Sequence, residues 1–437
     1  MAGERPEVVG IDFGTTNTVL STLDSDGRAR ILAITVEGEE VVAFRSTLSF
    51  HADPIEPDRR IIEAGPFAIA AYLEDPLETR FIQSFKTYAA SPLFQETRIL
   101  GRRYPFEDLL STFLLQLRAH AELSPRGRLA VVGRPVRFAG QQPDETLAMA
   151  RYGRAFARLG FSEVRYAFEP VAAAVAFAER LEGDAIVLVG DFGGGTSDFS
   201  VVRFVHGSGG GRAEPLASAG VPLAGDAFDY RIIDRLVSPE LGKGSSYRAF
   251  DNILPVPNRY FAAFARWEQL ALLRASRDMR EIRSLARSAL EPEKIGRLIE
   301  ILDDNLGYRL YQAVTRFKEE LSHQTQADFA FDAGNVHIER RVERTEFEAW
   351  IAPELAAMEA GVETALERAA LAPEAVDRVF LTGGSSFVPA VRAMFERRFG
   401  AAKVEGGAEL VSIAAGLARL GASPDLDAWS LETAASA

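Results

Sequence analysis

The chain contains no cysteine. That excludes a disulfide framework, a thiolate nucleophile and any cysteine-ligated zinc site. It has no apolar run near the ~20 residues that a membrane-spanning helix needs. It has no excess of basic charge either: 49 Lys and Arg stand against 62 Asp and Glu, for a net charge of −13. That balance argues against a general nucleic-acid or anionic-membrane binder. Neither a GxxxxGK[ST] loop nor a strand–GxGxxG–helix fingerprint occurs, so two familiar phosphate signatures are missing. The opening Met1-Ala2-Gly3-Glu4-Arg5-Pro6 is polar and does not read as a secretory leader. The expectation is a cytoplasmic protein with neither nucleic acid nor membrane as partner.

What is present is a repeated turn. Asp191-Phe192-Gly193-Gly194-Gly195-Thr196-Ser197-Asp198 lies between the apolar runs 185–189 and 199–202. The order reads as strand, glycine turn, strand. Three glycines let a backbone turn tightly and approach a ligand closely. Successive bare N–H groups in such a turn make a concave anion site. Carboxylates beside a phosphate cradle make chemical sense with a divalent cation between them. One such turn could equally be an ordinary hairpin. The pattern recurs, however, at Ile11-Asp12-Phe13-Gly14-Thr15-Thr16-Asn17-Thr18. Two copies predict two similar halves facing one nucleotide.

With 437 residues the chain exceeds what one core supports, so two or more domains are expected. Strand-like segments fill 31–50. Helices are predicted over 66–73, 106–123 and 145–159, the last ending at Gly160. Strand 129–133 precedes Arg134-Pro135. A short strand, 166–168, runs into the alanine-rich helix opened by Glu169-Pro170. The glycine-rich stretch 207–211 reads as a mobile loop. Residues 260–323 read as almost wholly helical. Strand 328–331 follows, then one long amphipathic helix from about Glu346 through Leu366. Val379-Phe380-Leu381-Thr382 enters a Gly383-Gly384 turn that opens a helix over 390–398. A final helix, 411–420, ends at Gly421, and the tail from Ser423 reads as frayed.

Taken in order, these segments resemble the ATPase domain of the DnaK-type heat-shock chaperones, within the actin–sugar kinase–chaperone superfamily. Residues 11–18 look like the first phosphate motif and 191–198 like the second. Glu169-Pro170-Val171-Ala172-Ala173-Ala174 looks like the connecting motif, and Gly383-Gly384-Ser385-Ser386-Phe387-Val388-Pro389 like the adenosine motif. Gly225-Asp226-Ala227-Phe228-Asp229 resembles the family's loop before the subdomain helices. The resemblance implies an α/β actin-like ATPase fold, two ribonuclease-H-like lobes around a nucleotide cleft. Lobe I would be residues 1–182 completed by 405–437. Lobe II would be 183–404, with a helical subdomain at about 230–323.

The resemblance also implies roles. Asp12, Asp191 and Asp198 would hold Mg²⁺ through waters. Gly14, Thr15, Thr16, Asn17, Gly193, Gly194, Gly195 and Thr196 would hold the phosphates of ATP or ADP. Lys86 and Glu169 would be catalytic together with Asp12, Asp191 and Thr196, Lys86 placing the attacking water and Glu169 sensing the γ-phosphate. Read alone, Lys86 also suits a surface lysine, and Glu169 suits the dipole of the helix it starts. Gly383, Gly384, Ser385 and Phe387 would line the nucleoside pocket with Lys318 and Ser322. A co-chaperone, exchange factor or client protein would be the partner. Two departures stand out. The family's adenine-flanking arginines are replaced by Glu319 and Phe387. The chain also stops soon after the ATPase-like part, so the expectation is a short form without a peptide-binding domain of its own. A filament-forming actin-like ATPase is the alternative, and a small-molecule kinase a more distant one.

Overall fold

The computed structural model describes residues 7–429 apart from 57, 77, 140–141, 178–182, 206–211, 266–269, 271–272, 275, 407–410 and 424–425. The loop expected at 207–211, the opening 1–6 and most of the tail lie outside the described residues.

The two Asp-Phe-Gly segments each end the first strand of a hairpin. Glu7–Phe13 pairs antiparallel with Asn17–Leu23, and Ala185–Phe192 with Ser197–Val205. Each hairpin seeds a sheet. In the first, the order is Glu163–Phe168, Arg128–Arg134, Glu7–Phe13, Asn17–Leu23, Ala29–Ile31, with Phe44–Arg45 also pairing to Asn17–Leu23. In the second it is Val404–Glu405, Arg378–Thr382, Ala185–Phe192, Ser197–Val205, Arg212–Val221. Counted along the chain, both sheets run 5-4-1-2-3. In both, the first three strands are antiparallel, and the last two join the far side of the first in parallel. Parallel strands need long crossovers, which is why helices lie between these elements in sequence.

Three clusters of buried side chains form the core. One lies under the first sheet, where Val9, Ile11 and Phe13 meet Leu110, Phe113 and Leu117 of the helix Phe106–His120. A second joins the second sheet to the helices of the C-terminal half. The third holds Val8 and Val131 of the first sheet and Val187 and Val189 of the second together with residues of the helices Glu169–Phe177 and Ser412–Ala422. Central strands covered on both faces read as continuous apolar runs, as Val8 to Ile11 and Ile186 to Val189 do.

Two helices, Glu169–Phe177 and Ser412–Ala422, cross within this third cluster. Their contact is backbone to backbone. A Cβ at Gly416 would stand 1.8 Å from the Ala172 carbonyl oxygen, so no other residue fits there. Gly421 is not the helix stop expected from sequence. The helix runs on to Ala422, because Gly421 gives room to Val8, whose Cγ1 would be 2.3 Å from a Cβ there.

Other elements differ from the sequence reading. The single long helix from Glu346 is two helices, Arg344–Trp350 and Ala352–Ala369. Pro353 has no N–H to continue the first and suits the opening turn of the second. The strand at 328–331 is longer, Gln326–Ala333, and pairs with Val336–Glu343. Charges at Glu339, Arg340 and Arg341 hide that second strand's alternation. A hairpin, Ser246–Ala249 with Asn252–Pro255, interrupts the segment expected to be helical from 230. The Gly383-Gly384 turn leads first into a 3₁₀ turn, Gly384–Phe387, and only then into the helix Pro389–Phe399.

Candidate functional site

Each hairpin turn has the same length and closure. Phe13 faces Thr18 and Phe192 faces Ser197, leaving four residues in each turn. Gly14 N–H donates to Asn17 O at 3.0 Å, and Gly193 N–H to Thr196 O at 2.9 Å. The phenyl rings before the glycines, Phe13 and Phe192, are fully buried and fix each turn to its core.

The two turns meet. A Cβ at Gly194 would lie 2.2 Å from Thr16 Oγ1. Only glycine permits that approach. Ser46 braces the first turn, its hydroxyl donating to Gly14 O at 2.7 Å and its N–H to Thr16 O at 2.8 Å. Asp226 braces the second, its N–H donating to Gly194 O at 2.8 Å. Gly225 stands beside Ser385 Oγ and Lys318 Nζ, at 2.9 and 3.6 Å from where its Cβ would be. Both phosphate-type turns, the Gly225 segment, the helix Gly307–His323 and the Gly383 turn thus line one cleft of about 1580 Å³. Of the residues singled out in the sequence, Gly195 alone is not part of its lining.

Charge in the cleft is unevenly compensated. Lys86 Nζ donates to Glu169 Oε1 at 2.8 Å, both groups largely buried. Burial alone would lower the Lys86 ammonium, but Glu169, Tyr152 and Asp12 hold it above its ordinary range. Burial and the Glu169 charge push Asp12 up to about 7 and Asp198 up to about 6. Asp191 is raised by burial and by Glu169, Asp12 and Asp198 together. Thr196 Oγ1 donates to Asp198 at 3.1 Å. Three carboxylates that resist ionisation next to one another fit a cation of the hard, oxygen-seeking kind. No set of three acidic or histidine side chains among the described residues converges tightly enough to ligate a metal directly.

On the opposite wall, Lys318 pairs with Asp229 at 2.6 Å, and Ser322 Oγ donates to Lys318 O at 2.9 Å. Gly383 has φ +87° and packs on the Phe192 carbonyl, where a Cβ would be 2.1 Å from the oxygen. Ser385 is buried, whereas Phe387 is 45 % exposed at the cleft and Glu319 is exposed on the facing helix. The sequence reading missed Ser46 and gave no role to Asp226 or Asp229. Ser46 carries no local signal. The other two sit in the Gly225–Asp229 segment, which was visible as a motif.

The family model described as Hsp70 protein matches residues 84–246 and 288–422. The chain belongs to the Hsp70 family. With the family comes the actin-like ATPase fold, consistent with the two like-ordered sheets. Relatives include a chaperone protein DnaK of Thermus thermophilus, 26% identical over 415 residues, which cover 90% of this chain and 57% of that protein. The DnaK proteins of Thermotoga neapolitana and Thermotoga maritima are each 28% identical over 416 residues, 92% of this chain and 56% of theirs. The chain thus spans under three fifths of the length of these relatives. The Hsp70 family is one of chaperone-type, ATP-binding proteins. No helix among its described residues is long and apolar enough to cross a membrane.

Proposed function

We propose that this Hsp70-family chain binds Mg²⁺-ATP in the cleft and hydrolyses it slowly, coupling the γ-phosphate to opening and closing of two lobes. The lobes would be residues 1–182 with 405–437, and residues 183–404. The observation that carries the reading is the meeting of two equivalent turns, Thr16 against Gly194. Backbone N–H groups and the hydroxyls of Thr15, Thr16 and Thr196 would hold the β- and γ-phosphates from both sides. Asp12, Asp191 and Asp198 would hold the cation through its waters. When bound, it offsets phosphate charge. Lys86, locked by Glu169, would place the attacking water and stabilise charge on the phosphoryl group. Catalysis of this kind is positioning plus electrostatics. The nucleoside would lie against Gly383, Gly384 and Ser385, with Phe387 offering a stacking face. Closure tied to the γ-phosphate is how nucleotide switches transmit hydrolysis. A co-chaperone, exchange factor or client would respond to that closure.

Calorimetric titration with ATP, ADP and GTP in Mg²⁺ tests the reading, alongside phosphate release. Asp12→Ala and Asp191→Ala should each abolish Mg²⁺-dependent turnover. Unchanged turnover in both variants would refute it.

A further inference from the structure

Lys86 stands on a short 3₁₀ turn, Phe85–Tyr88, with no helix or strand directly after it. Ser84, just before, has φ +53°, a left-handed conformation that a side-chain-bearing residue adopts only under constraint. Residues 89–94 belong to no helix or strand, so their carbonyls have no ladder to join. One side chain answers several of them. Arg151, on the helix Glu145–Phe156 and only 5 % exposed, donates to Tyr88 O at 2.9 Å, Ala89 O at 2.9 Å and Ser91 O at 3.2 Å, and also to Phe94 O. Asp144 N–H, at the head of the same helix, donates to Ala90 O at 2.9 Å.

A guanidinium is costly to bury without partners, and Arg151 meets that cost with backbone carbonyls. Its five N–H donors in a rigid fork suit a cluster of carbonyls, which a lysine cannot match. The same helix also reaches the ammonium end of Lys86. Tyr152 packs on the Phe13 ring, centroids 6.3 Å apart, and Lys86 Nζ sits over that ring at 5.8 Å. The tyrosine hydroxyl is buried with no hydrogen-bond partner among the described residues. The helix thus braces Lys86 from two sides: Arg151 holds the backbone that follows it, from Tyr88 to Phe94, and Tyr152 packs on the Phe13 ring under its head group.

We infer that Arg151 is a positioning residue for Lys86. It fastens the 88–94 loop so that the ammonium meets Glu169 and the phosphate cleft in one geometry. This rests on the hydrolytic reading above. A misplacement of about 1 Å at a catalytic group can cost up to roughly a hundredfold in rate.

The test uses Arg151→Lys, which keeps a cation but loses the fork, and Arg151→Met, which removes every donor. The chain has five lysines, at 86, 243, 294, 318 and 403, so protein labelled with ¹⁵N-lysine gives few side-chain signals, and the one that Arg151→Lys adds is identified by its absence from Arg151→Met. The expected result is a moved Lys86 Nζ signal in nucleotide-free protein, with the other four in place. Turnover at saturating ATP should fall by about tenfold or more, with ADP affinity unchanged. A Lys86 signal that stays put in folded Arg151→Lys protein overturns the inference, and so does lost turnover with that signal unmoved. Should Arg151→Met fail to fold, Arg151→Lys decides. If the parent protein shows no turnover at all, the hydrolytic reading falls while the lysine signal still decides this one.

Discussion

Lys86 and Glu169 form a pair whose members are each only about 10 % exposed, so either alone would be a buried, uncompensated charge. Breaking such a pair typically costs about 3–5 kcal/mol, whereas removing both members costs far less. Lys86→Met should therefore destabilise the protein strongly in denaturant titrations. Lys86→Met with Glu169→Gln should recover much of the loss, and neither variant should hydrolyse ATP. The aspartates predict a pH effect of definite sign. Asp12 and Asp198 are raised from 3.8 to about 7 and about 6, so the native state holds protons that the unfolded chain releases. Without metal, unfolding free energy should fall as pH rises from about 4 through about 7, and Asp191, raised by the same burial, adds to the fall. Thermal melts in chelator should show this slope, and Asp198→Asn should flatten it. A slope of opposite sign would contradict the carboxylate environment. At this scale sequence legibility was uneven. Asp12 and Asp191 stood out because each ends an apolar run just before a Phe-Gly turn, and Asp198 because it closes the second turn. Ser46 and Arg151 did not, since a serine between two strands and an arginine in a helix carry no mark of what they touch.

The hairpins were legible as elements because glycine, hydroxyl and β-branched residues fall at turn spacing between two apolar runs. The strand Val336–Glu343 and the hairpin around Phe250 were not, because charge or short length obscures alternation there. The break at Ile351 turns on one proline whose role depends on neighbours the sequence does not reveal. Gly194 offers the sharpest test of an element contact. Gly194→Ala forces a methyl into Thr16 Oγ1 and should push the two turns apart. Nucleotide affinity should fall by roughly tenfold or more, about 1.4 kcal/mol. Adding Thr16→Gly, which vacates the space, should restore part of it. No recovery in the double variant, measured by calorimetry, would mean that the turns do not act together.

For the molecule as a whole, two similar halves were readable from the repeated motif, but their shared inner cluster was not. Nothing in the sequence says that Val8 and Val187 belong to one cluster or that Gly416 lies on Ala172. Such contacts come from chain crossings far apart in sequence. If the proposed closure occurs, that cluster and the small-residue helix crossing are where one half would shift against the other. Small-angle scattering should give a smaller radius of gyration with Mg²⁺-ATP than with Mg²⁺-ADP. Identical curves in both states would remove lobe closure from the account.

The equivalence of the two turns has a last consequence. If both carried the same residues, the cavity between them would be nearly two-fold symmetric, and an elongated anion could enter head first or tail first. Hydroxyls at Thr15 and Thr16 on one face and a bare glycine at Gly194 on the other abolish that symmetry. The polarity of a bound anion would thus be set by composition on a backbone that is itself indifferent to direction.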